Sequence, residues 1–181
     1  MKTTLREWAW INTIWVTHPE TWKVWEWVER KGTWQVVWAL VENVSRNTFI
    51  LVEQFRPLMD AQVIECVAGL VDVWYSPEAA IAKEILEETG YVAWRVDYLF
   101  QWPKSAWITT EQTLDYYVRV AWEPGKQQLE ASETGLIVHE TPNSLSELKI
   151  FLEMQENLWK LVSPGIWAVM WKAIADGIIK I

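Results

Sequence analysis

The segment 76–90 carries the signals for both ends of a helix, and no other part of the chain constrains the fold as strongly. Ser76 followed by Pro77, with Glu78 in the first turn, is typical of a helix start. Gly90 is a natural C-terminal cap, because glycine adopts the left-handed backbone conformation without a steric cost. The sequence therefore predicts a helix between Ser76 and Gly90.

Alternating segments rich in Val, Ile, Trp and Thr surround this helix and predict strands. Before the helix, strands are expected at 8–16, 22–28, 35–42, 48–54 and 62–67. After it, strands are expected at 93–101, 112–121 and 135–140, and further helices at 143–157 and 163–176. The first two segments predict an N-terminal antiparallel hairpin. Mixed strands with three helices favour an α/β layered sandwich.

Length and charge limit the class of protein. The chain has 181 residues, which suits a single domain over 1–181, and its net charge of -8 argues against nucleic acid as a partner. Any phosphate should therefore meet a few local cations or a bound metal. We expect no membrane segment, a cytoplasmic location and a buried thiol at Cys66, which lies in an apolar run.

Tryptophan is over-represented and glycine is scarce. The chain has 16 Trp and 7 Gly, and Trp74 and Trp107 occur where a loop normally has small residues. One interpretation is a surface that stacks on bases or sugars. The other is an ordinary fold whose loop positions have drifted or been engineered, and composition does not decide between them.

Three carboxylates lie on one side of the predicted helix, because Glu84, Glu87 and Glu88 are three or four residues apart. Like charges at this spacing repel, and their place near the helix C-terminus adds an unfavourable dipole interaction. A divalent cation such as Mg²⁺ would compensate both effects, whereas a solvated acidic face is the simpler alternative. The apolar residues expected to face the core are Ile81, Ile85 and Leu86.

The segment from Gly69 to Tyr91 resembles the Nudix box. That pattern has Gly, five residues, Glu, seven residues, then Arg-Glu-apolar-any-Glu-Glu-any-Gly-apolar, and 83–91 reads KEILEETGY with matching spacing from Gly69. The flanks 51–57 (LVEQFRP) and 65–72 (ECVAGLVD) resemble the ADP-ribose pyrophosphatase and nucleoside diphosphate sugar hydrolase branch. The resemblance implies a Nudix-type α/β/α sandwich with a mixed sheet.

Several positions depart from the family pattern. Tyr75 stands where the box has its first Glu, and Lys83 replaces an Arg whose planar fork a lysine lacks. Trp74 and Trp107 replace loop residues that are usually small or polar. These departures make weakened activity the alternative expectation.

The resemblance also implies a set of site residues. The expected metal ligands are Glu84, Glu87, Glu88 and the backbone carbonyl of Ala68, with Mg²⁺ or Mn²⁺ as the ion. The expected substrate contacts are Arg56 for a phosphate oxygen, Asp72 for the ribose or a metal-bound water, and Glu111 in the substrate loop. Each of these three also suits an ordinary strand end, turn or loop.

A base must orient the attacking water, and in this branch it comes from a glutamate on a loop after the last long strand. Glu133 is the favoured candidate, with Glu130 and Glu140 as alternatives, and Glu87 and Glu88 complete the expected catalytic set. The implied activity is hydrolysis of the diphosphate of ADP-ribose or a related nucleoside diphosphate sugar, which gives a nucleoside monophosphate and a sugar phosphate. A catalytically impaired nucleotide-binding module or scaffold is the alternative.

The family resemblance further implies a homodimer with exchanged N-terminal segments. Residues 1–45 would form the hairpin that contributes to the dimer, and residues 46–181 would form the catalytic core. Trp8, Trp25 and Trp27 are candidate walls for the base, although each also suits packing in the sheet or at the dimer interface.

Overall fold

The computed structural model describes residues 2–7 and 9–179. Helix α1 spans Pro77–Thr89, as predicted, and both caps form. The Ser76 hydroxyl accepts a hydrogen bond from the Ala79 amide at 3.2 Å. Gly90 adopts φ 76°, and its amide donates to the Leu86 carbonyl at 2.9 Å. The helix therefore begins and ends where its capping residues predict.

The main sheet has eight strands and is mixed, as predicted for the fold class. Six of them follow the order β11-β6-β5-β4-β9-β8, while β10 pairs with β5 and β7 pairs with β4. Among the strands in the described part of the chain, the β4–β9 and β11–β6 pairs of this sheet are parallel and its other pairs are antiparallel. The strands are β4 Gln35–Asn43, β5 Thr48–Arg56, β6 Ala61–Glu65, β7 Val67–Leu70, β8 Ala93–Pro103, β9 Gln112–Val120, β10 Ile137–Pro142 and β11 Leu161–Val162.

A separate three-stranded antiparallel sheet forms from the N-terminal segment. Its strands are β1 Lys2–Glu7, β2 Ile11–Thr17 and β3 Val24–Arg30. The predicted hairpin is β2–β3, and β1 adds a strand that the sequence did not predict. Strand β2 begins at Ile11, and Trp8, where the prediction began, lies outside the described residues. The sheet contacts the loop before β9, since the Val28 amide donates to the Ile108 carbonyl at 2.8 Å.

Helices cover both faces of the main sheet, which gives the α/β/α layering. Helix α1 packs Ala80, Ile81 and Ile85 onto one face. Helices α2 Leu145–Asn157 and α3 Gly165–Ala175 pack onto the opposite face. The prediction for Leu86 is wrong, because this residue is 37% exposed. None of the described helices is both long and apolar enough to cross a membrane.

The strand predicted at 62–67 is divided at Cys66, and this division positions the site. Strand β6 pairs with β5, whereas β7 pairs with β4, so the chain changes neighbours between Glu65 and Val67. Cys66 is fully buried, as expected, and burial raises the pKa of its thiol. Strand β7 then brings Ala68 and Gly69 beside helix α1.

Candidate active site

Three carboxylates converge beside α1. Glu84 and Glu88 lie on the helix, and Glu133 ends a short 3₁₀ helix, Ala131–Glu133, in the loop before β10. Carboxylate oxygens of the three residues lie within 4.8 Å of one another. Glu133 is held in place because its side chain accepts a hydrogen bond from the Glu130 amide at 2.8 Å. The structure thus joins two residues of the box to the favoured loop glutamate.

Gly69 allows Glu84 to approach the sheet. A β-carbon built on Gly69 would lie 2.1 Å from the Glu84 carboxyl carbon, so any other residue at this position would force the Glu84 carboxylate to move. The register Val37↔Gly69 fixes β7 against β4, so the strand does not move away to make room. The glycine that opens the box therefore leaves room for the close approach of the Glu84 carboxylate.

The electrostatics of the cluster favour a bound cation. Burial, reinforced by Glu133 and Glu84, raises the pKa of Glu88 to about 9. Burial also raises the pKa of Glu84 to about 7, with Glu133 adding repulsion and Lys83 opposing it. Glu88 Oε2 is buried and has no hydrogen-bond partner within the described residues. An unpartnered buried oxygen among converging carboxylates fits a hard divalent cation such as Mg²⁺.

A cavity of about 410 Å³ opens over these carboxylates. Cationic side chains from three different elements line it: Arg30 from β3, Arg56 from β5 and Lys83 from α1. The remaining lining residues are Gln54, Ala68, Gly69, Leu70, Asp72, Glu84, Glu88, Glu130, Ser132 and Glu133. Guanidinium groups beside a metal-binding cluster are suited to a diphosphate, whose oxygens accept from both arginines and a cation.

The two arginines are each paired with a carboxylate. Arg56 donates from Nε to Glu65 Oε1 at 2.8 Å, and its Nη2 contacts the same oxygen. Arg30 donates from Nε and Nη2 to Glu111 Oε2 at 3.1 and 3.0 Å. Glu111, which was predicted as a substrate contact, is not among the lining residues. It instead binds Arg30, which is one of them.

Arg30 was missed by the sequence analysis. It ends strand β3 of the N-terminal sheet, but the strand predicted at 22–28 stopped two residues before it, so it had no distinct signal in the sequence. Its position in the cavity depends on contact between that sheet and the loop carrying Glu111, which involves residues about eighty positions apart. Local sequence pattern does not reveal such a contact.

Glu87 is separated from the acidic cluster. Its carboxylate accepts a hydrogen bond from Lys83 in an i,i+4 ion pair, and this bond raises the pKa of the lysine. Glu87 is not among the residues that line the cavity, unlike Glu84 and Glu88. Lys83 therefore has an intrahelical partner where the family pattern has arginine.

The other predicted residues take different positions. Ala68 and Asp72 line the cavity, and the Asp72 carbonyl accepts from the Tyr75 amide at 3.0 Å, which supports a turn. Glu130 also lines the cavity. Glu140 does not, because it binds Arg46 at 2.6 Å and the Tyr91 hydroxyl at 2.7 Å.

The unusual aromatic residues lie outside the acidic cavity. Trp74 and Tyr75 are 90% and 45% exposed, and neither belongs to the described cavity lining. Trp107 stacks on Trp25 with ring centroids 5.5 Å apart and an interplanar angle of 11°. Trp25 and Trp27 line a separate apolar cavity of about 370 Å³. These departures from the family pattern therefore leave the carboxylate cluster unobstructed.

Comparison with known proteins gives local sequence matches and a match of fold. No protein-family model matches the chain. The chain is 39% identical over 75 residues to an ADP-sugar pyrophosphatase of Mus musculus, a match covering 39% of this chain and 34% of that protein. It is 36% identical over 94 residues to a GDP-mannose pyrophosphatase of Yersinia pestis, covering 49% and 46%. The matches thus span less than half of the length of these curated relatives.

The fold match extends further. A solved structure described as an ADP compounds hydrolase superposes with a TM-score of 0.65 at 16% identity, covering 84% of this chain and 80% of that one. At this identity the match defines the fold, which is the Nudix-type α/β/α sandwich. The sequence matches confirm the narrower resemblance, to the ADP-ribose pyrophosphatase and nucleoside diphosphate sugar hydrolase branch of the Nudix family.

Proposed function

We propose that the protein is a pyrophosphohydrolase that cleaves the diphosphate linkage of ADP-ribose or a related nucleoside diphosphate sugar. The observation that carries this proposal is a cavity in which Glu84, Glu88 and Glu133 converge and which Arg30 and Arg56 also line. The products would be a nucleoside monophosphate and a sugar phosphate. The names of the relatives, which act on ADP-sugars and GDP-mannose, support the same substrate class.

Glu84 and Glu88 would hold Mg²⁺, or Mn²⁺, with the backbone carbonyl of Ala68 as a further ligand. When bound, the metal offsets the charge of the diphosphate and increases the acidity of a coordinated water. The unpartnered Oε2 of Glu88 supports this assignment, because a buried carboxylate oxygen needs a cation or a donor.

Arg30 and Arg56, which line the same cavity, would bind the non-bridging oxygens of the diphosphate. Guanidinium groups suit this role because they remain charged and donate in a planar fork. Asp72, at the same cavity, would meet the ribose. Glu111 would act indirectly, by holding Arg30 through two hydrogen bonds.

Glu133 would be the base that orients the attacking water. One of its oxygens, Oε2, accepts from the Glu130 amide, which leaves Oε1 for the water. Glu130 is the second candidate, since it also lines the cavity, whereas the bonds of Glu140 to Arg46 and Tyr91 argue against it. Glu87 would contribute by fixing Lys83 rather than by contacting the substrate.

A steady-state assay of AMP release from ADP-ribose and Mg²⁺ tests the proposal. The wild type should turn over, and the Glu84→Gln Glu88→Gln double variant should lose at least about a thousandfold in kcat, since metal stabilisation of the transition state is lost. GDP-mannose and UDP-glucose in the same assay rank the substrates. If no substrate is cleaved faster than by the double variant, the protein is a binding module.

We also propose that the protein is a homodimer whose N-terminal sheets complete the base-binding sites. The half-exposed Trp25, stacked on Trp107 at the edge of that sheet, supports this arrangement. Light scattering would give twice the chain mass of 21.3 kDa for a dimer. A mass equal to one chain at micromolar concentration would contradict it.

A further inference from the structure

Glu65 contacts one of the two arginines that line the cavity, although it does not itself belong to the lining. It ends strand β6, and its side chain is 14% exposed, whereas that of Arg56 is 43% exposed. Arg56 lines the cavity and Glu65 does not. The carboxylate is therefore largely shielded from solvent, and it contacts Arg56 without being one of the lining residues.

The contact fixes the orientation of the guanidinium group. Nε and Nη2 of Arg56 both contact Glu65 Oε1, with the Nε bond at 2.8 Å. A guanidinium has five N–H groups, so this arrangement uses two and leaves three that can donate into the cavity. Because the side chain has many rotatable bonds, an unanchored arginine would sample several orientations and lose entropy on binding.

We propose that Glu65 is a positioning residue that orients Arg56 for the diphosphate of the substrate, an inference that rests on the proposed function. Glu65 itself does not contact the substrate. Its charge also balances that of Arg56, and the two have opposite effects on the pKa of Glu88, which Glu65 raises and Arg56 lowers. Substrate affinity should therefore depend on Glu65, and the chemical step should depend on it much less.

Glu65→Gln tests the role, because the amide keeps the shape of the side chain and removes its charge. We expect KM for ADP-ribose to rise about tenfold, the usual effect of weakening a hydrogen bond to a charged group, and kcat to stay within about threefold. The control is Asp97→Asn, because Asp97 is 18% exposed and pairs with Arg119, which does not line the cavity. This control should leave both kinetic constants unchanged.

Binding of ADP with Mg²⁺, measured by calorimetry, separates this inference from the proposed function. ADP carries the diphosphate, and the measurement requires no turnover. The dissociation constant should rise about tenfold for Glu65→Gln and should not rise further when Glu65→Gln is added to Arg56→Ala. Should Glu65→Gln fail to fold, Glu65→Asp withdraws the carboxylate from Arg56 while keeping its charge, and should also weaken binding.

Each outcome has a distinct meaning. Turnover by the wild type with unchanged KM and ADP affinity in Glu65→Gln would overturn the positioning role and leave the proposed function intact. Absence of turnover by the wild type would overturn the proposed function, and the calorimetric comparison would still decide the role of Glu65. If Glu65→Gln raised the dissociation constant by the same factor in the wild type and in Arg56→Ala, Glu65 would act independently of the arginine.

Discussion

Gly69 and the Glu84 side chain approach so closely that any side chain at position 69 would displace the Glu84 carboxylate. The β-carbon of any other residue at 69 would lie 2.1 Å from the carboxyl carbon of Glu84. Burial of Glu84 and the raised pKa that follows both depend on this approach. The glycine thus allows the Glu84 carboxylate to lie where it joins the acidic cluster.

Gly69→Ala should displace Glu84 and weaken Mg²⁺ binding by about tenfold to a hundredfold, a range typical of disturbed ligand orientation. The Mg²⁺-dependent rise in melting temperature measures this loss. Gly125→Ala is the control, because its β-carbon would lie 3.4 Å from its nearest neighbour, an ordinary contact. An unchanged Mg²⁺ response in Gly69→Ala would show that Glu84 does not contribute to metal binding.

Three tryptophans occupy backbone conformations that normally favour glycine. Trp22, Trp122 and Trp159 have φ values of 57°, 65° and 62°. The left-handed region is strained for residues with a β-carbon, and bulky residues are rare there. Tryptophan thus stands at three positions where glycine would be favoured, which links the excess of tryptophan to the shortage of glycine.

Trp159→Gly should raise the free energy of unfolding by about 1 kcal/mol, because the strain of the left-handed conformation is relieved. Trp159 is 92% exposed, so little packing is lost. Chemical denaturation measures the change. Trp10→Gly, at a site 78% exposed and outside the left-handed region, should not stabilise the protein. Equal effects of the two substitutions would refute the backbone explanation.

At the scale of elements, α1 and α2 differ in their N-terminal caps. The Ser76 hydroxyl accepts from the Ala79 amide, whereas Ser144, which also precedes a helix, makes no side-chain cap bond. Ser76→Ala should therefore lower the free energy of unfolding by about 1 kcal/mol, and Ser144→Ala should lower it by less. Thermal unfolding of the two variants measures the difference. A larger effect at Ser144 would contradict the cap assignment.

Elements with local signals were predictable, and elements fixed by distant partners were not. Helix α1 matches its prediction because capping depends only on neighbouring residues. Strand β11, only two residues long, exists through parallel pairing with β6 and has no signal of its own. The division between β6 and β7 likewise depends on which strand each one pairs with.

At the scale of the whole molecule, the site joins residues from distant segments. The box predicted Glu84 and Glu88, and the flanking motif predicted Arg56, because these residues lie in continuous patterns. The contribution of Arg30 and the holding roles of Glu65 and Glu111 required tertiary structure. Sequence pattern also placed Glu87 with the other two glutamates, although its bond to Lys83 separates it from them.

Stability of the metal-free protein should depend on pH through the acidic cluster. The pKa values of Glu84 and Glu88, raised to about 7 and about 9, mean that the folded state holds these protons more tightly than the unfolded chain. The resulting stability is complete below about pH 4.5 and is lost as the pH rises through 7 and 9. Melting temperature in EDTA should therefore fall over this interval.

Mg²⁺ should reverse this loss, and its effect should increase with pH because ligand oxygens must release protons. Comparison with the Glu84→Gln Glu88→Gln variant separates the contribution of the cluster to the pH dependence from that of other titrating groups. The melting temperature of the variant should depend less on pH and should not respond to Mg²⁺. If the melting temperatures of the wild type and the variant changed equally with pH, the pH dependence would come from other carboxyl groups.

The most direct test of the central claim is a titration with Mn²⁺ followed by electron paramagnetic resonance, which measures the free ion. We predict saturable binding to the wild type, loss of at least about a hundredfold in affinity for Glu84→Gln Glu88→Gln, and a change of no more than about threefold for Glu87→Gln. Unchanged affinity in the double variant would contradict the claim that these converging carboxylates form a metal site.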